Sequence, residues 1–174
     1  MTEHHILVFS DSHGRRDNIL TALERQIHRP DVILFLGDGL RDIGYVDFGT
    51  TPVHAVSGNC DGIFTPSGEP DERTLYIGNL CICMMHGHRY MVKSGRTAAA
   101  AHAAKLGADI LLFGHTHETV EDHLPTGTML GSVTLQKPLI VFNPGTIGGI
   151  GAPATFGTIT VRNGVALCGH GKIQ

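Results

Sequence analysis

Ile6-Leu7-Val8-Phe9-Ser10-Asp11-Ser12-His13 decides how the rest of the chain is read. Four consecutive apolar residues suit a strand buried on both faces, and they break off at a carboxylate and an imidazole. The same grammar recurs downstream. Residues 32–36 run into Gly37-Asp38, residues 53–56 into Ser57-Gly58-Asn59, and residues 80–85 into His86-Gly87-His88. Residues 110–113 lead to Gly114-His115-Thr116-His117, and residues 139–142 to Asn143-Pro144-Gly145. Each apolar run closes on a side chain able to bind a ligand.

Between these runs lie helical patterns. Asp17 is placed to cap a helix whose apolar face is Ile19, Leu23 and Ile27, with Pro30 as a stop. A second helix is expected from Ser94 through the alanine-rich stretch to Leu106, ended by Gly107 in a left-handed conformation. Past Thr119 the pattern turns to alternation and turn signals. Asn163-Gly164 separates residues 156–161 from 165–168 and predicts a terminal β-hairpin. The expectation is an α/β chain with a β-rich end, folded as one domain over residues 1–174, a length that suits a single core.

Composition excludes several classes. The net charge of -3, with 13 Lys plus Arg scattered without a basic run, opposes an extended nucleic-acid footprint. No apolar run approaches the roughly 20 residues that cross a bilayer, and the first residues do not read as a secretory signal, so a cytoplasmic protein is expected. Cys60, Cys81, Cys83 and Cys168 form no Cys-x-x-Cys pair, and Cys81 and Cys83 share one strand face as buried thiols. Neither a disulfide nor a zinc finger is expected.

In open α/β sheets, ligands bind beyond the carboxyl ends of the strands. The tips therefore bring Asp11, His13, Asp38, Asn59, His86, His115 and His117 to one rim. So many imidazoles and carboxylates together need a compensating cation. Nitrogen and oxygen donors without thiolates suit two borderline divalent ions such as manganese, iron, zinc, nickel or cobalt. Such a pair activates water and clamps phosphoryl oxygens.

In order and type, Asp11-Ser12-His13, Gly37-Asp38, Gly58-Asn59-Cys60-Asp61, His86-Gly87 and Gly114-His115-Thr116-His117 resemble the calcineurin-like metallophosphoesterase superfamily. The short chain and Asn143-Pro144-Gly145-Thr146 are similar to its small YfcE-type phosphodiesterase branch. The resemblance implies two facing β-sheets, a β-sandwich flanked by α-helices. It implies one ion on Asp11, His13 and His117, a second on Asn59, His86 and His115, and Asp38 as the bridge. It further implies manganese or nickel dependence and a homodimer or homotetramer.

Cys60 stands where larger members of the superfamily carry a histidine that protonates the leaving group. Substrates with good leaving groups, or His88 or water acting as the acid, would meet that change. Arg15, Arg16 and Arg41 are within reach of an anionic substrate from loops near the rim but read first as solvated surface charge, and Asn143 reads as the end of its strand. The expected function is hydrolysis of a small phosphate ester, a diester before a monoester because no arginine cluster stands out to hold a terminal dianion. The competing reading is a non-catalytic scaffold on the same fold, as in the eukaryotic retromer subunit that resembles this family.

Overall fold

The computed structural model describes residues 3–62 and 68–173. In chain order its elements are β1 (Glu3–Phe9), α1 (Arg16–Glu24), β2 (Val32–Phe35), α2 (Leu40–Ile43), β3 (Val53–Ala55), β4 (Glu72–Ile77) and β5 (Leu80–Met85). A 3-10 turn (His88–Tyr90) follows, then α3 (Thr97–Lys105), β6 (Ile110–Leu112), β7 (Thr119–Leu124), β8 (Met129–Leu130) and β9 (Val133–Thr134). The chain ends with β10 (Leu139–Pro144), β11 (Thr155–Arg162) and β12 (Val165–Lys172).

Two five-stranded sheets form, in the orders β12-β11-β1-β2-β3 and β4-β5-β6-β10-β7. The neighbours β1, β2 and β3 are parallel, as are β5, β6 and β10, while antiparallel strands lie toward the edges. Strand alternation then sets the layers. Ile6, Val8 and Leu34 of the first sheet meet Ile82, Met84, Ile110 and Phe142 of the second in one shared core. The opposite faces are also covered. Leu7, Phe9, Ile33 and Phe35 pack on Ile19 and Ala22 of α1, while Cys83, Met85 and Leu111 pack on Ala99, Ala100 and Ala103 of α3. The central strands are therefore apolar on both sides, which is why they read as continuous runs. This is the mixed two-sheet sandwich with few helices that the resemblance implied.

All six apolar runs are strands, and the hairpin turns at Asn163 and Gly164, both at positive φ. Two helix expectations are corrected. α1 ends at Glu24, and Ile27 beyond it is 93% exposed, so Ala22 takes the buried place that periodicity assigned to Ile27. Arg15 occupies the N-cap position, and Asp17 lies inside the first turn, where its charge faces the helix dipole instead of capping it. Gly107, at φ +71°, does follow α3. The four thiols are free, with Cys81 and Cys83 buried on the α3 side. No helix among the described residues is long and apolar enough to cross a membrane.

Candidate metal centre

The carboxyl ends of β1, β2, β3, β5 and β6 converge, and the expected donors meet there. His13 Nε2 and His117 Nε2 are 3.2 Å apart, and His86 Nε2 lies 3.2 Å from both His115 Nδ1 and Asn59 Oδ1. Asp38 Oδ2 is 3.3 Å from His86 Nε2. Asp11 Oδ1 faces His117 Nε2 at 3.2 Å, His13 Nε2 at 3.7 Å and His86 Nε2 at 4.0 Å. Two groupings of possible donors emerge, Asp11 with His13 and His117, and Asp38 with His86 and His115; His13, Asp38 and Cys60 form a third that overlaps them.

Asp11 supplies the test of whether a cation fits. The residue is fully buried, and its Oδ2 accepts hydrogen bonds from Ser10 Oγ and the His115 amide, yet Oδ1 accepts none. A buried carboxylate oxygen without a hydrogen bond is costly, and here it is ringed by imidazole nitrogens. Nitrogens about 3.2 Å apart also match donors sharing one ion at about 2.1 Å each. The imidazoles are oriented for that purpose. His86 Nδ1 and His117 Nδ1 donate to the carbonyls of Leu36 and Ile150, which leaves each Nε2 lone pair directed into the cluster.

Electrostatics agree with the need for positive charge. At His86 burial pulls the pKa down, but its hydrogen bond to Asp38 and the charges of Asp11 and Asp38 outweigh burial and hold it above the ordinary value. His117 is raised chiefly by its side-chain contact with Asp11. Burial would raise Asp38, but His86 and the Cys60 amide hold it below the usual carboxylate range. His115 falls to about 4 through burial and repulsion from His86 and Lys93. Divalent cations would satisfy the same carboxylates and release the imidazoles to act as neutral donors.

The backbone is strained where the donors lie. Among the described residues, seven non-glycine residues have positive φ, and five of them are Asp11, His13, Asp38, His115 and His117. Such conformations cost on the order of 1 kcal/mol or more each and persist where the surroundings impose them. The loops show what imposes them. Asp61, whose role the sequence left open, accepts from the amides of Asp38, Gly39, Leu40 and Gly58, tying the tips of β2 and β3 together. Asp42 accepts from Ser12 Oγ and the Gly14 amide. Asn143 closes its turn by accepting from the Gly145 amide, and its own amide nitrogen donates to Gly114 O and Thr116 Oγ1. Gly58 is required by contact, since a Cβ there would lie 2.1 Å from Asp38 Oδ1. Asp42 had no signal in the sequence, because its partners lie about thirty residues away; Asn143 and Asp61 lay inside quoted motifs.

The two residues named for leaving-group chemistry fall on different sides. Cys60 is exposed and lines a cleft with His13 and Asp38; burial and the Asp38 carboxylate push its thiol up to about 11. The His88 ring lies 5.4 Å from the His86 ring, tilted against it, and lines a separate hollow with Asp71, Arg89 and Tyr90, its Nδ1 buried without a hydrogen bond. Its pKa is lowered by burial and by His86. Arg16 and Arg41, read from sequence as surface charge, both line the Cys60 cleft.

Comparison with known proteins agrees with this geometry. The chain is 31% identical over 144 residues, 82% of its length and 74% of the relative's, to the probable metallophosphoesterase YsnB of Bacillus subtilis. It is 28% identical over 136 residues to a probable metallophosphoesterase of Mycoplasma genitalium, covering 76% of this chain and 78% of that one. Among solved structures, a predicted phosphoesterase from Streptococcus pneumoniae superposes with a TM-score of 0.74 at 22% identity, over 99% of this chain and 91% of the other. Zinc-complexed Vps29 from Entamoeba histolytica gives a TM-score of 0.63 at 23% identity, covering 97% and 98%. At those identities the structural matches speak for the fold alone. Residues 5–164 match the calcineurin-like phosphoesterase superfamily domain, and the chain belongs to that superfamily.

Proposed function

We propose that this metallophosphoesterase hydrolyses a small phosphate diester with two divalent ions, manganese being the first choice. The observation that carries the reading is Asp11 Oδ1, buried, without a hydrogen bond and faced by three imidazole nitrogens. Asp11, His13 and His117 would hold one ion, Asn59, His86 and His115 the other, and Asp38 would bridge them. When bound, such ions supply an activated water for in-line attack and positive charge for the phosphoryl oxygens.

The chain's own residues do the rest. The left-handed tips fix donor positions before substrate arrives, so little reorganisation remains for the reaction. Asp61 keeps the Asp38 and Gly58 loops together, and Asn143 keeps the 114–116 loop against β10. Cys60 occupies the cleft position where larger members of the superfamily carry histidine, so esters whose leaving group departs as an anion are favoured.

The test is to strip metal with a chelator, reload with manganese, nickel, zinc or magnesium, and measure bound ions beside hydrolysis of bis(p-nitrophenyl) phosphate and p-nitrophenyl phosphate. Two equivalents bound and faster turnover of the diester are expected. Less than one equivalent after manganese loading, with neither ester cleaved, would leave the scaffold role as the surviving reading. A faster monoester would overturn the diester preference alone.

A further inference from the structure

A cleft of about 630 Å³ opens directly from His13, Asp38 and Cys60, and its lining includes Arg16, Arg41 and Tyr45 together with Asp17, Asp42 and Asp61. Arg16 stands at the start of α1 and Arg41 on α2, so two separate elements aim cations at one space. The Arg16 guanidinium lies 5.7 Å from the Tyr45 ring centroid, a cation–π contact that holds it against the wall. Four other arginines, Arg73, Arg89, Arg96 and Arg162, each pair with a carboxylate, while Arg25 and Arg29 donate to carbonyl or hydroxyl oxygens.

Among the described residues neither Arg16 nor Arg41 has an ion-pair partner, although the lining is not short of carboxylates. Asp42 Oδ2 is used by Ser12 Oγ and the Gly14 amide, and both oxygens of Asp61 are used by backbone amides. Asp38 faces the imidazoles. That leaves exposed Asp17 as the one lining carboxylate, among the described residues, with no hydrogen bond of its own, set against two guanidinium groups. Guanidinium is the side chain best matched to phosphate oxygens, through paired N–H donors in one plane. The scissile phosphate is already provided for at the proposed metal centre, and these arginines line the cleft that opens from it.

We propose that this cleft binds a second phosphate, carried on the substituent of the ester beyond the scissile group, so that the preferred substrate is a doubly phosphorylated ester. The proposal rests on the phosphoesterase reading above. The matched probes are thymidine 5'-(p-nitrophenyl phosphate) and the same ester bearing a 3'-phosphate, both of which report by nitrophenol release from the manganese-loaded protein. The second phosphate is expected to lower KM about five- to tenfold, the range of one or two partly exposed charge contacts. Arg16→Gln and Arg41→Gln should each remove much of that advantage while leaving kcat and KM for the singly phosphorylated ester within about twofold.

Binding tests the cleft apart from turnover. Thymidine 3',5'-bisphosphate should bind the unchanged protein more tightly than thymidine 5'-phosphate, with the difference lost in the Arg16→Gln, Arg41→Gln double variant. Equal KM values for the two esters, or equal losses on both in the variants, would overturn the cleft assignment while the phosphoesterase reading stands. If neither ester is cleaved yet the bisphosphate preference is present and arginine-dependent, the cleft assignment survives and the hydrolytic reading fails. Absence of the binding preference overturns the assignment in either case.

Discussion

The two groups of donors that meet at Asp38 both use left-handed loop residues, Asp11, His13 and His117 in one and His115, at φ +67°, in the other, but the second also has a donor set directly at the end of a core strand, His86. On one side Asp11, His13 and His117 all lie at positive φ on loops, and the His13 and His117 side chains are 21% and 25% exposed. On the other side His86 follows directly from β5, fully buried, with Nδ1 tied to the Leu36 carbonyl of the facing sheet's β2 tip. The first group is held by loop clamps, with Thr146, Ile147 and Gly148 bonding the backbone of Ser10 and Asp11. The second hangs on a donor that the core itself positions. A side chain anchored in the core carries stability as well as ligation, whereas a loop donor carries ligation with little stability. The two proposed ion positions should therefore respond differently to loss of a histidine.

Asp38→Asn cuts across the comparison and should have the largest effect. Asn tolerates a left-handed backbone, so the change removes a charge without adding strain at φ +58°. Loss of both ions by elemental analysis is expected, together with a fall in kcat/KM on the order of a thousandfold. If the variant kept two ions and full activity, Asp38 would not be the bridge and the division into two groups would collapse.

The sharpest contrast is between His86→Gln and His13→Asn. Removing His86 leaves the buried Leu36 carbonyl without its donor, so the metal-free protein should lose about 2 kcal/mol of unfolding free energy by denaturant titration. His13→Asn keeps a residue suited to positive φ at a half-exposed position and should leave metal-free stability within about 0.5 kcal/mol. Each should release one ion. Equal stability losses would show that the loop side is as integral to the core as the strand side.

Asp61→Asn asks how far the clamp matters. One carboxylate oxygen that accepts two amides becomes an NH2 group unable to accept. Because the clamp spans Asp38 and Gly58, the expected result is a roughly tenfold to hundredfold weaker metal affinity by competition with a chelating dye, with both positions affected. Weakening confined to one position would place the clamp on one side of the comparison only.

What the sequence displayed, and what it concealed, follows the same division. Central parallel strands must be apolar on both faces, so residues 6–9, 32–36 and 80–85 announced themselves, and their tips announced the donors. The edge strand β4 alternates exposed and half-buried residues and was not expected from the sequence; the Gly78-Asn79 connection to β5, a two-residue hairpin turn, is the signal that would have found it. Contacts that bind loops across the fold left no periodic trace. Asp42 reaching Ser12, and Asn143 reaching Gly114, depend on tertiary placement, as does the gathering of Arg16 and Arg41 around one cleft. The end of α1 was misplaced because Ile27 continued the apolar period that the fold had no use for.

The smallest expected effect belongs to Cys60, which sits between the two groups without the burial of one or the strain of the other. It is exposed, its amide donates to Asp38 Oδ1 at 2.7 Å, and that contact is made by backbone, so Cys60→Ala preserves it. Two ions should remain bound, and turnover of bis(p-nitrophenyl) phosphate should stay within about twofold, because nitrophenolate leaves without a proton. The same variant on a diester with an alkoxide leaving group separates two possibilities. An unchanged rate ratio between the two esters means that water supplies the proton; a drop confined to the alkoxide ester means that the thiol does. Loss of turnover on the nitrophenyl ester at full metal content would contradict both, and would make Cys60 a third element that neither the loop side nor the strand side explains.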